Sequence, residues 1–210
     1  EHVKSLTVYS TESFMALDVA TRRNLELVQS LRDGSSFGTL LGLLDRTATS
    51  MGGRMLRQWL NQPLLDAVSI EARLERVQAL HANVLLRGDL QDLLKQMSDL
   101  ERLTGKSATG TANARELVAM RRSLQILPEM KQPLLDTPEL GAVSSRMDLC
   151  GEVLDLLSRS LSDDPPMTIT EGGMIREGYS DDLDQLRLGG REGKEWIANL
   201  EATERERTGI

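Results

Sequence analysis

The sequence is poor in aromatic residues, which make up 3% of its 210 positions, and it holds a single cysteine, Cys150. With aromatics scarce and leucine recurrent, any core must be aliphatic, which points to helices packed on helices. One cysteine excludes an internal disulfide, and the lack of a CxxC pair or of paired histidines removes the usual zinc signatures. A reducing, cytosolic compartment is the natural expectation. An excess of cations is missing too: 25 Lys and Arg stand against 32 Asp and Glu, a net charge of −7, whereas a nucleic-acid grip needs clustered basic side chains. No run approaches the ~20 apolar residues of a membrane span, and the opening EHVKSLTVYS lacks the pattern of a signal peptide. A soluble, cytoplasmic, mainly α protein with no membrane partner is expected.

What is present is a succession of helix signals. Leu6 to Leu17 reads as an extended lead-in, Asp18 to Leu27 fits a short helix or a strand, and Asp33, Gly34, Ser35 and Ser36 make a turn. Leu40, Leu41, Leu43 and Leu44 form an apolar patch. A helix starts at Thr47 or Thr49, carries Met51, Met55 and Trp59 on one ridge, and ends at Pro63. Ile70, Leu74, Val77 and His81 form one stripe, and Leu86, Leu90, Leu93, Met97 and Leu100 form another, with Asn83 and Gly88 as possible breaks. Asn113 with Glu116 is a capping box opening a helix that Pro128 should end. Thr137, Pro138 and Glu139 then begin a long helix with a seam through Leu140, Val143, Met147, Cys150, Leu154, Leu157 and Leu161. Asp163 to Pro166 break it, and Thr168 to Ile175 suggest a minor β-hairpin-like element bent at Gly172 and Gly173. Ser180, followed by Asp181 and Asp182, starts a charged helix that reaches Arg207 with no stop signal read, as if cut from something larger.

Residues able to do chemistry have bland uses here. His81 lies on an apolar stripe and Cys150 on the seam, so both are expected to pack as core or boundary residues. The pairs Asp163 with Asp164 and Asp181 with Asp182 fall at a helix stop and a helix start, where solvation and the helix dipole account for them. The glycine pairs Gly52 with Gly53, Gly172 with Gly173 and Gly189 with Gly190 stand in no phosphate-loop context. Arg22 with Arg23 and Arg121 with Arg122 have acids nearby and no interleaved aromatics, so a solvated face or salt bridges fits them better than DNA contact. No catalytic, cofactor-binding or metal-ligating residue is assigned, and no enzyme activity is expected of this chain.

Several strings carry a resemblance: FMALDVATRRNLEL at 14 to 27, LLDRTATSMGGRMLRQWLNQPLLD at 43 to 66, DLERLTGK at 99 to 106, ARELVAMRRSL at 114 to 124, GGMIREGYSDDLDQLR at 172 to 187 and LEATERERTGI at the end. In this order and spacing they closely resemble the core and lever domain of the MutS family of DNA mismatch-recognition ATPases, over nearly the whole chain. The resemblance implies a helical core over 1–177 and an outgoing lever helix over 178–210 that ends where relatives enter the clamp. It also implies a part that transmits conformational state between ATP sites and DNA grip. Mismatched DNA, ATP, magnesium, MutL and a homodimeric partner would belong to a full-length parent through other domains, since the mismatch reader, clamp and Walker A loop are not in these residues. Ala114 replaces a frequent proline, and Lys106 and Ser107 replace a more usual Arg and Ile. Gly189, Gly190 and Gly193 sit in the lever helix either as relaxed packing on an exposed turn or as a soft point where it bends. The rival reading is a free-standing helical adaptor for partner proteins.

Overall fold

The structure is a computed structural model that describes residues 13–209. In chain order the helices are α1 (Val19–Asn24), α2 (Leu40–Leu44), α3 (Ser50–Asn61), α4 (Ala67–Ala82), α5 (Val84–Gln96), α6 (Leu100–Ala108), α7 (Ala114–Leu135), α8 (Gly141–Ser144), α9 (Gly151–Ser160) and α10 (Asp181–Thr208). The mainly α class expected from the composition is what the structure has. Strand structure among the described residues is limited to two isolated antiparallel bridges, Phe14 with Leu64 and Leu161 with Ile175. The expected hairpin about Gly172 and Gly173 is thus reduced to one bridge, because Thr168 and Glu171 close a capping box and wind Ile169–Glu171 into a turn of 3-10 helix. Of the extended lead-in, residues 6–12 lie outside the described residues, while Phe14 is extended as expected.

Helix starts follow from short polar side chains. Asp18, Thr39, Thr49, Asp66, Asn83 and Asp99 each accept the backbone N–H three residues on, which satisfies one of the donors a helix leaves open at its start. Thr49, not Thr47, is the cap of α3, and Asn83 divides α4 from α5 while Gly88 stays inside α5. The stripe expected to run from Leu86 to Leu100 is broken, because Asp99 caps a new helix at Leu100. The capping box at the start of α7 is complete: Glu116 N–H donates to Asn113 Oδ1 at 2.9 Å and Asn113 N–H donates to Glu116 Oε2 at 3.3 Å.

Two sequence expectations fail for tertiary reasons. Pro128 does not end α7, which continues through Pro128 and Pro133 to Leu135. A proline inside a helix costs roughly 3 kcal/mol, yet Leu124, Leu127, Met130 and Leu134 around these prolines are all buried. Each such burial returns ~1.5–3 kcal/mol, so packing outweighs the lost hydrogen bonds. The long helix expected from Pro138 to Leu161 is in fact three pieces: a 3-10 turn Pro138–Leu140, α8, and α9 after a non-helical turn at 145–150. Lys131 Nζ donates to the Met147 carbonyl at 2.7 Å, and the fully buried Ser144 hydroxyl donates to the Lys131 carbonyl at 3.0 Å. Bonds from α7 therefore replace the helical ones. Cys150 lies on no seam: it is half-buried at φ +50°, with its N–H donating to Asp148 Oδ1.

The described residues divide into two compact units, one reaching Thr111 and adding Arg122–Cys150, the other formed by Ala112–Arg121 and the residues from Gly151 on. In the first unit Leu86, Leu90, Met130, Leu134 and Leu140 form a buried cluster that Leu80, Leu94, Ile126 and Met147 pack against. Polar ties join α3 to α6: Arg54 donates to both oxygens of Asp99 at 2.8 Å and also to Glu101, and the Ser50 hydroxyl donates to Asp99 Oδ2 at 2.9 Å. Arg73 of α4 covers the Trp59 ring of α3 at 3.9 Å from its centroid.

The hydrogen bonds from Arg54, and next the Arg102 N–H, hold the Asp99 carboxyl well below the usual carboxylate range. The unfolded chain therefore binds this proton at higher pH than the folded one does, so the pair stabilises above about pH 4 and its contribution fades as pH falls toward the depressed folded value. Asp99→Asn should flatten that part of the acid limb of a stability-against-pH curve measured by urea titration. An acid limb identical to that of the parent would show that Asp99 does not carry it.

Candidate functional site

The second unit is organised around the start of α10. Ser180 accepts the Leu183 N–H, and Asp181, Asp182 and Asp184 put negative charge in the first turn, where the helix dipole favours it. The 28 residues of α10 make a rod about 42 Å long at 1.5 Å per residue. Its expected lack of an ending is corrected: Gly209 adopts the left-handed conformation at φ +71°, and its N–H donates to the Arg205 carbonyl at 2.9 Å.

Polar contacts fix the first two turns of α10 to the residues before it. Arg187 Nη2 donates to the Ile175 carbonyl at 2.9 Å and Arg187 Nη1 to Asp184 Oδ1 at 3.2 Å. The other Asp184 oxygen accepts the Gly178 N–H at 2.6 Å. One step back, Arg176 N–H donates to the Ser160 carbonyl and Ser162 N–H to the Met174 carbonyl, so 174–176 are stitched to the end of α9.

Below that lies a buried arginine. Arg121, 4% exposed, donates from Nη1 to the Leu161 carbonyl at 3.3 Å and from Nη2 to Asp163 Oδ1 at 2.7 Å. Arg176 reaches the same two acceptors, Leu161 O from Nε at 3.1 Å and Asp163 Oδ1 from Nη2 at 2.8 Å. The hydrogen bond from Arg121 and then the charge of Arg176 hold the Asp163 carboxyl below its ordinary range. Chemically this arrangement grips: a fixed carboxylate between two guanidinium groups orients backbone and helix.

Beyond its base, every residue of α10 from Leu188 to Leu200 is exposed. Leu186 (75% exposed) and Ile197 (61%) stand on it with Trp196 and Leu200. Gly189, Gly190 and Gly193 are ordinary helical residues, and a Cβ built on any of them meets nothing within 4 Å. No close approach inside the described chain therefore demands glycine at these positions.

Most residues weighed from the sequence stay apart. His81, expected at a core boundary, is exposed in the last turn of α4 because Ile70, Leu74 and Val77 on its stripe are themselves exposed. Arg22 and Arg23 lie exposed in α1. Asp163, Asp164, Asp181 and Asp182 are all exposed as expected, and Asp163 in addition accepts from the two arginines. The burial of Arg121 was missed, although a signal existed: it falls on the same helical face as Val118 and Leu124, both buried. Among the described residues no group of three or more His, Cys, Asp or Glu is placed to hold a metal ion, and no helix is long and apolar enough to cross a membrane.

Comparison with known proteins places these features. The family model described as MutS domain III matches residues 20–208. The chain is 48% identical over its whole length to the DNA mismatch repair protein MutS of Brevibacillus brevis and 49% identical to that of Symbiobacterium thermophilum, covering 24% of each. It is 48% identical to the MutS of Salinibacter ruber, again along the whole chain and over 23% of the relative. The chain thus spans about a quarter of the length of these relatives.

Proposed function

Because the chain belongs to the MutS family through its domain III, we propose that it serves DNA mismatch repair as a mechanical part, a helical core over 1–177 carrying an arm over 178–210. The arm transmits conformational state between the nucleotide sites and the DNA grip of a full-length protein. The observation that carries this reading is α10 itself, fixed at its base through Asp184 and Arg187 and exposed from Leu188 to Leu200. A stiff rod held at one end converts a small rotation of its base into a large displacement of its tip.

ATP, magnesium, mismatched DNA, MutL and a second copy are assigned to other domains of such a protein, and the cytoplasm is its compartment. No reaction is assigned to residues of this chain; its part is to move and to hold.

The arm reading is tested in the MutS of Brevibacillus brevis with this chain in place of its own domain III segment. Glu195 is exposed in the middle of α10, and a proline there costs the helix roughly 3 kcal/mol or more. Glu195→Pro should leave ATP hydrolysis in place and abolish the ATP-triggered change in DNA binding, while Glu195→Ala keeps both. An ATP response in the proline variant equal to that of the parent would refute the arm.

A further inference from the structure

The base of α10 is held by a chain of contacts in which each link shares an acceptor with, or lies beside, the next. Arg121 and Arg176 share both Leu161 O and Asp163 Oδ1; Arg176 adjoins Ile175, whose carbonyl accepts Arg187; Arg187 pairs with Asp184, which accepts the Gly178 N–H. The links differ in what their loss would do. Arg176 is partly exposed, and water can replace its partners. Arg121 is buried, and its Nε has no hydrogen-bond partner. Without the Asp163 carboxylate its guanidinium would be a buried cation lacking a counter-charge, a far less tolerable state than a broken surface pair.

We propose that Asp163, gripped by Arg121 and Arg176, is the latch that locks the base of α10, and that releasing it loosens residues 174–188 as a unit while the first unit stays folded. This deepens the arm reading given above, on which it rests: the latch is where the arm is made rigid with its base. The segment can loosen as a unit because the hydrogen bonds of Ser162, Arg176 and Gly178 all run through it. Asp163 makes its grip by charge, so Asn, with the same shape and no charge, releases it with least disturbance.

Amide hydrogen exchange on the full 210-residue chain tests this. Asp163→Asn should speed exchange at Ser162, Arg176 and Gly178 by roughly tenfold or more, the scale of losing a hydrogen bond to a charged group. The amides of Asn83 and Leu103, which bond to Ala79 O and Asp99 O in the first unit, should keep their rates. Unchanged exchange at Gly178 would overturn the latch, and so would equal acceleration everywhere, which would make Asp163 a general stabiliser. Should Asp163→Asn fail to fold, Asp163→Asn combined with Arg121→Met removes the stranded buried charge together with the grip and carries the same expectations and the same refutations. Asp163 and Arg187 share no hydrogen bond, so a latch further requires that Asp163→Asn with Arg187→Gln accelerate Gly178 less than the two single effects combined; strict additivity would reduce the chain to unrelated contacts. These readouts need no nucleotide or DNA, so their failure is distinct from a failure of the Glu195→Pro test.

Discussion

Leu103→Ala should destabilise the first unit by ~2–5 kcal/mol, the range for removing a fully enclosed leucine side chain where the surroundings relax only in part. Leu103 is 1% exposed, the largest side chain among the described residues to be shielded from solvent so completely, and it sits in the nine-residue α6. The same helix is tied to α3 through Asp99 and Glu101, which both accept from Arg54. Urea unfolding followed by Trp59 fluorescence in a Trp196→Phe background isolates this unit, since these are the two tryptophans of the chain. Leu85→Ala is the control: that side chain is 81% exposed and its removal should stay within about 0.5 kcal/mol. A loss below about 1 kcal/mol for Leu103→Ala would place that side chain outside any well-packed core.

The second large effect has the opposite sign. Gly189, Gly190 and Gly193 all lie in the helical interior of α10, and an alanine Cβ at each meets open space. Each glycine costs the helix about 0.8–1.0 kcal/mol relative to alanine, so replacing all three should stabilise α10 by roughly 2–3 kcal/mol, seen as a higher midpoint in the thermal loss of helical circular dichroism. No contact within the described residues explains the glycines, so the gain should come without a steric cost. If they are the point where the arm bends, the same triple variant in a full-length relative should slow the ATP-driven change in DNA binding while leaving ATP hydrolysis intact. Faster helix melting would refute the stability argument, and unchanged switching kinetics would refute the hinge.

Much of the local organisation was legible in the residues. Thr49, Asn83, Asn113 and Ser180 all cap where a hydroxyl or amide precedes an apolar stripe, because a cap bond spans three residues and needs nothing from elsewhere in the chain. The latch residues were legible only in part. Arg121 and Asp163 stood out as members of charged pairs, but their meeting joins positions 42 apart, and neither position says by itself that the guanidinium will be buried. The stripe of Ile70, Leu74 and Val77 shows the converse: periodicity marked an apolar face, yet the described chain leaves that face open.

Composition, bonds between near neighbours and strings of residues in order were enough for the aliphatic helical class, the starts of α3, α7 and α10, and the family. Tertiary structure alone decided that α7 runs through Pro128 and Pro133, that the stretch from Pro138 to Leu161 breaks at Cys150, and that Asp163 clasps two arginines. In each of these a long-range contact outweighs a local preference: buried leucines and methionines against a proline's missing donor, Lys131 against a continuous helix, and a counter-charge against burial of Arg121. Local rules set the cost of each feature, and only the partners brought together by the fold set the return.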